Sequence, residues 1–181
     1  ALSFQLAAKL ESVTLPAVSL RELMDEAFSY EPLIGEAVRA DLIAVRDRDP
    51  ACRMLCMPLL YFKGFLALQA HRVAHYYWNL ERQHLALFLQ SPVSDVFAVD
   101  IHPAARLGKG ILIDHATGVV IGETAVIGDN VSMLHAVTLG GTGKARGDRH
   151  PKVQDGVLIA AGAKVLGNVI VGEGAKVASG A

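Results

Sequence analysis

A chain of 181 residues is long enough for one full core, or for two small structural regions sharing one. Apolar residues make up 52% and aromatics only 6%, which points to aliphatic, closely stacked packing. A net charge of −1 excludes bulk attraction to nucleic acid, and no apolar run reaches the roughly 18–20 residues that span a bilayer.

The longest apolar neighbourhood, Met54 to Leu68, is interrupted by Pro58, Lys63 and Gly64. Nothing reads as a signal peptide, so a soluble, cytoplasmic protein without membrane or nucleic-acid partners is expected. Cys52 and Cys56, the only cysteines, suit two reduced thiols on one helix face and do not make a zinc set.

The N-terminal half has helical periodicity. Leu20, Leu23, Met24, Ala27 and Phe28 form one stripe, and Leu33, Ile34, Ala37, Val38, Leu42 and Val45 another. Asp49-Pro50 reads as an N-cap followed by proline at the first helical position. A long pattern then runs through Leu55, Leu59, Phe62, Leu66, Val73 and Trp78, with a kink expected at Pro58. A last helix, Glu81 to Leu89, is expected to stop before Ser91-Pro92. The predicted division is an all-α region over 1–97 and a second region over 98–181.

Beyond Asp100 aliphatics recur every six residues: Ile101, Leu107 and Ile113, then Ile121, Ile127, Met133 and Leu139 after a two-residue irregularity placed at Gly118–Val120. After an insertion, Thr142 to Lys152, the count restarts at Val153, Ile159, Val165, Val171 and Val177. Hexad repeats of this kind predict a parallel β-helix. One aliphatic per short strand points inward, small residues such as Gly108, Gly122 and Gly128 permit corners, and three strands complete a coil. Such helices are commonly left-handed, so the predicted fold class is α+β, an all-α region followed by a left-handed parallel β-helix.

The register serves as a ruler. His115 and His135 each take the third position of a repeat, one coil apart, and should be neighbours on one edge. Asp100 lies just before the first repeat and Asp114 directly before His115. The insertion carries Arg149 and His150, placed to fold over the same edge or over a neighbouring subunit. A neutral imidazole near its ordinary pKa suits removal of a proton from an alcohol attacking a thioester. A carboxylate behind it would fix the tautomer. His115 with Asp100 fits these roles. No serine or cysteine stands beside a base, which favours direct transfer over an acyl-enzyme. By register alone, His135 is the rival base, and His115 can also be read as a solvent-facing histidine on a solenoid edge.

The runs Asp100 to Arg106, Asp114 to Gly118, Ile121 to Thr124, Val137 to Lys144 and Gly147 to Lys152 (GDRHPK), with the segments Arg48 to Ala51 and Pro58 to Arg72, resemble the serine O-acetyltransferase family over nearly the whole chain. The resemblance implies transfer of acetyl from acetyl-CoA to the L-serine hydroxyl in cysteine biosynthesis. It implies His115 as general base with Asp100 as partner, and Asp49, Asp114, Arg149 and His150 around serine, Asp49 reaching in from a neighbouring subunit. Acetyl-CoA is a co-substrate along a groove between β-helices near Gly141, Ala161 and Lys176, and no metal is implied. Homotrimers pairing into hexamers, inhibition by L-cysteine, and docking of a C-terminal tail into O-acetylserine sulfhydrylase complete the implication. This chain stops mid-repeat, without that tail.

Three other functions compete. One is an acetyltransferase acting on a different hydroxyl. Another is a β-helix metal protein resembling carbonic anhydrase, with His115, His135 and His150 as candidate ligands. The third is a non-catalytic scaffold. Gly140 to Gly143 lacks the lysine and hydroxyl spacing of a nucleotide-triphosphate loop.

Overall fold

The computed structural model describes residues 1–144 and 146–181, so the predicted insertion is described except at position 145. The helices are α1 (Leu2–Leu10), α2 (Ala17–Tyr30), α3 (Pro32–Arg48), α4 (Cys56–Leu60), α5 (Lys63–Asn79) and α6 (Gln83–Phe97). The strands are β1 (Val99–Ile101), β2 (Arg106–Leu107), β3 (Leu112–Ile113), β4 (Val119–Ile121), β5 (Val126–Ile127), β6 (Ser132–Met133), β7 (Thr138–Gly140), β8 (Lys152–Val153), β9 (Leu158–Ile159), β10 (Lys164–Leu166), β11 (Ile170–Val171) and β12 (Lys176–Val177).

The strands form three parallel sheets: sheet I (β1-β4-β7-β10), sheet II (β2-β5-β8-β11) and sheet III (β3-β6-β9-β12). Chain order cycles through the three sheets, giving the expected left-handed parallel β-helix. The first corner joins sheet I to sheet II, the second joins II to III, and the third joins III back to I.

The hexad aliphatics stack in register. Ile101 pairs with Ile121, Ile121 with Leu139 and Leu139 with Val165, and the Leu107 and Ile113 columns run likewise. Most are almost wholly buried, each contributing about 1.5–3 kcal/mol of burial. A second set of inward residues stands two positions before many of them: Ala105, Val119, Ala125, Val131, Val137, Val157 and Ala163, each at most 1% exposed. The six-residue count passes over these because small and large side chains alternate there. Corners turn through left-handed backbone, at Gly118, Ala136, Gly162 and Gly180 in the third corner (φ +77°, +56°, +76° and +70°).

Five local expectations change. The extra two residues sit in the turn Asp114–Gly118, ahead of β4, since Val119 pairs in register with Val99. Asp49 is not an N-cap: it ends α3, and its Oδ1 accepts a hydrogen bond from the Ala51 amide at 2.8 Å, closing a turn. That turn also takes Cys52 out of any helix, leaving Cys52 buried and Cys56 exposed. The break in the long helical pattern falls at Tyr61–Phe62, because Pro58 sits in the first turn of α4 where no donor is lost. Helix α6 runs through Pro92 to Phe97, with Val93 and Phe97 buried along the line of Ala86 and Leu89, and ends at left-handed Ala98.

Helices and β-helix share one continuous core. The helical region lies on the second corner through a buried ion pair. Asp41 Oδ2 accepts from Arg72 Nη2 at 2.8 Å and from Gln69 Nε2 at 3.0 Å, while Asp41 Oδ1 accepts from the Ile111 amide at 2.8 Å. Arg72 also donates to the Gly108 carbonyl at 2.7 Å. With every charged oxygen met, removing either partner costs about 3–5 kcal/mol.

Candidate active site

Two corners, either side of sheet I, carry the residues singled out in the sequence. At the third corner the longer turn Asp114–Gly118 holds His115 and Ala116 in left-handed backbone, φ +57° and +61°. Tight hydrogen bonds from the Ala116 amide to Asp114 O (2.6 Å) and from the Thr117 amide to His115 O (2.7 Å) close it. The His115 side chain is 76% exposed, and its Nε2 stands 3.9 Å from Asp114 Oδ2. His135, one coil on, is its neighbour, ring centroids 6.1 Å apart at 82°.

The helical region closes over this turn. Gly64, in the first turn of α5, lies so near it that a Cβ there would be 2.0 Å from the Ile113 carbonyl oxygen. Lys63 donates a short hydrogen bond to Thr117 Oγ1. Between the end of α3, the start of α5 and β3 lies a cavity of about 310 Å³, lined by Asp49, Tyr61, Phe62, Lys63, Asp114 and His115 among others. Asp49 therefore shares a cavity with the Asp114 and His115 of its own chain, where the resemblance implied a neighbouring subunit.

At the first corner the insertion folds back on its own coil. Arg149 Nη2 meets Glu123 Oε2 at 2.5 Å, and its Nη1 donates to the Gly147 carbonyl at 3.2 Å. His150 is buried, its Nδ1 accepting from the Thr124 amide at 3.1 Å, and its ring fills the space a Cβ on Gly122 would need. Lys152 stitches the loop shut, donating to Thr124 O and His150 O, both at 2.8 Å, and to Asp148. Burial, then the neighbouring Arg149 cation, push His150 below the ordinary imidazole range. A hydrogen bond from Arg149 holds Glu123 below the usual carboxylate range.

Of the remaining residues, two lie at these corners and two on strands. Gly141 lies at the first, beside Arg149 O and His150 Nε2. Ala161 lies at the third, its carbonyl accepting from the Gly180 amide at 3.0 Å. Lys176 opens β12, exposed, on sheet III. Asp100 sits mid-strand in β1 between the two corners and accepts from Gln90 Nε2 at 2.5 Å; among the described residues it makes no hydrogen bond to His115. One chain thus brings His115, Asp114 and Asp49 together, and sets Arg149, His150 and Gly141 at a separate corner. Among the described residues, the insertion folds over its own first corner and not over the His115 edge of the same chain. Lys63, Glu123 and Gln90 were given no role from the sequence: Lys63 and Glu123 lie in runs that carry the resemblance but show no contact there, and Gln90 is a lone amide on a helix.

Two family models match: "Serine acetyltransferase, N-terminal" over residues 1–70 and "Bacterial transferase hexapeptide (six repeats)" over residues 150–181. The serine acetyltransferase of Salmonella typhimurium is 57% identical over 180 residues, 99% of this chain and 66% of the relative. The chain thus spans just under two thirds of that relative's length. Soybean serine acetyltransferase complexed with serine is 64% identical with a TM-score of 0.97, over 99% of this chain and 74% of that one. A serine acetyltransferase solved in complex with CoA is 54% identical with a TM-score of 0.95, over 99% and 74%. With more than half its residues identical on a superposable fold, the chain belongs to the serine acetyltransferase family.

Proposed function

We propose that the protein transfers acetyl from acetyl-CoA to the hydroxyl of L-serine, giving O-acetylserine and CoA in cysteine biosynthesis. The observation that carries this reading is the cavity shared by Asp49, Asp114 and His115. It offers two carboxylates for an ammonium group and an exposed imidazole for the hydroxyl beside it. Asp114 Oδ2 stands 3.9 Å from His115 Nε2 in the same cavity, which suits Asp114 to the substrate amine. Asp100 is the proposed partner of the other ring nitrogen, reached when its carboxylate turns from Gln90. His115 takes the hydroxyl proton as the oxygen attacks the thioester, then returns a proton to the departing CoA thiolate. No covalent enzyme intermediate is invoked.

Arg149 is the proposed ligand of the serine carboxylate, with His150 beside it. Its place at a different corner from His115 supports a site completed by a second copy, in a homotrimer whose trimers pair into a hexamer through the helical region. In this division residues 1–97 serve oligomerisation and the substrate site, and 98–181 form the acyltransferase β-helix. CoA is assigned to the groove near Gly141, Ala161 and Lys176. L-cysteine carries the same ammonium and carboxylate with a thiol for the hydroxyl, so it is the expected inhibitor of the same site. The whole protein is proposed as cytoplasmic, with O-acetylserine sulfhydrylase as partner. The test is thioester consumption from acetyl-CoA with L-serine, set beside sugar hydroxyls: turnover with a sugar and none with serine would overturn the assignment.

A further inference from the structure

We propose that Arg48 is a positioning residue: it pins the end of α3 to the β-helix and thereby sets where the Asp49 carboxylate stands in the cavity. The inference rests on the function proposed above. Arg48 is the last residue of α3, and Asp49 follows at once in extended backbone, φ −104° and ψ 105°. Although Arg48 is exposed, its guanidinium gathers four acceptors from two successive coils. Nη1 donates to Gly110 O at 3.0 Å, Asn130 O at 3.1 Å and Ser132 Oγ at 3.1 Å, and Nη2 to Asn130 Oδ1 at 3.1 Å.

These acceptors are well chosen for the purpose. Gly110 and Asn130 are the left-handed residues of the second corner, so their carbonyls are held by the turn itself. Ser132 pairs in register with Leu112, and Leu112–Ile113 leads directly into Asp114 and His115. Arg48 therefore ties the helix end that presents Asp49 to the strand ladder that presents the other two cavity residues. Asp41, two helical turns earlier, anchors the same helix to the same corner through the buried ion pair. The division of labour follows from burial: Asp41 holds the helix down, and Arg48, at the exposed end, fixes its last turn. The Asp49 side chain is fixed separately, by its bond to the Ala51 amide. The guanidinium spreads over the four acceptors, Nη1 sharing its two N–H groups among three of them and Nη2 meeting the fourth, a span that a single ammonium does not match.

The experiment compares wild type with Arg48→Ala, Arg48→Lys and Asn130→Gly, the last keeping left-handed backbone while removing one acceptor. Arg48→Ala should raise KM for serine about tenfold, leaving KM for acetyl-CoA within about twofold, as expected when a remote contact misplaces a binding group. Arg48→Lys and Asn130→Gly should fall between. Hydrogen exchange gives a second readout. The amides of Ala51 and Cys52, bonded to Asp49 in the native turn, should exchange faster in Arg48→Ala while strand amides keep their protection.

Unchanged exchange at Ala51 and Cys52, or faster exchange there with unchanged serine KM, overturns the proposal. So does loss of protection throughout the β-helix with both KM values moving together, which marks general support. Wild-type protein that fails to turn over serine overturns the proposed function instead, and the exchange pattern alone then decides whether Arg48 fixes Asp49.

Discussion

The two corners that flank sheet I are built oppositely. At the third corner a longer turn pushes His115 into solvent, where 76% of its side chain is exposed and its Nε2 stands 3.9 Å from Asp114 Oδ2, beyond hydrogen-bond reach. At the first corner Arg149 and His150 are committed to Glu123 and Thr124, and Lys152 closes the loop over them. In the proposed mechanism the group that exchanges a proton is left unbonded, while the Arg149 guanidinium proposed for the serine carboxylate is fastened before any ligand arrives, which would lower the ordering cost of binding.

The largest expected effect breaks the open corner. His115→Ala should lower kcat by about 10²- to 10⁴-fold with assembly intact, the range of a lost general base. His135→Ala, on the same edge, should stay near wild type. Near-normal turnover in the first variant, or a collapse in the second, would exchange their roles.

Next comes the contact that presses the helical region onto that corner. Gly64→Ala puts a methyl 2.0 Å from a backbone carbonyl, so α5 must shift, at about 1–3 kcal/mol of stability. Denaturant unfolding reads the loss directly, and serine KM should rise with it. Full stability in this variant would mean the helix start is not seated against the turn.

Asp49→Ala tests the cavity from its other wall. Loss of a charged hydrogen bond should raise the KM for serine about tenfold or more, with acetyl-CoA little affected. The reverse pattern would remove Asp49 from the serine side.

The smallest effect belongs to the closed corner and is read in pH. His150 is neutral in the fold, with its pKa lowered by burial and Arg149, and His71, buried within α5, is lowered much further by desolvation. In the unfolded chain both take protons near pH 6.5. The unfolded state thus binds more protons as pH falls through that value, so stability is complete above it and declines below, by up to about 1.4 kcal/mol per pH unit per group. Thermal unfolding between pH 7.5 and 5.5 should show this decline, less steeply in His150→Gln. Identical slopes in the two proteins would place His150 outside the linkage.

Much of the β-helix was legible because each inward aliphatic repeats the same environment: Ile101, Ile121, Leu139 and Val165 stack as the count requires. The coil ruler also placed His115 beside His135. Irregular backbone was harder. A proline signal at Pro58 masked the true break at Tyr61–Phe62, and Pro92 was no barrier because the buried face of α6 continues past it. Asp49 has the composition of a helix start and the backbone of a helix end, since an aspartate before proline closes either kind of turn. Arg149 was located only through its insertion and the GDRHPK run, neither of which shows its partner Glu123, one corner around the coil from His115.

The turn that carries His115 differs from the later third-corner turns by two residues of length. The coil from Ile121 to Leu139 closes without them, with Ala136 in the same left-handed conformation and the same aliphatic stack beneath. The proposed reactive edge is therefore a two-residue insertion into a scaffold that is complete without it, so the proposed chemistry and the architecture are separable by length rather than by the identity of any core side chain.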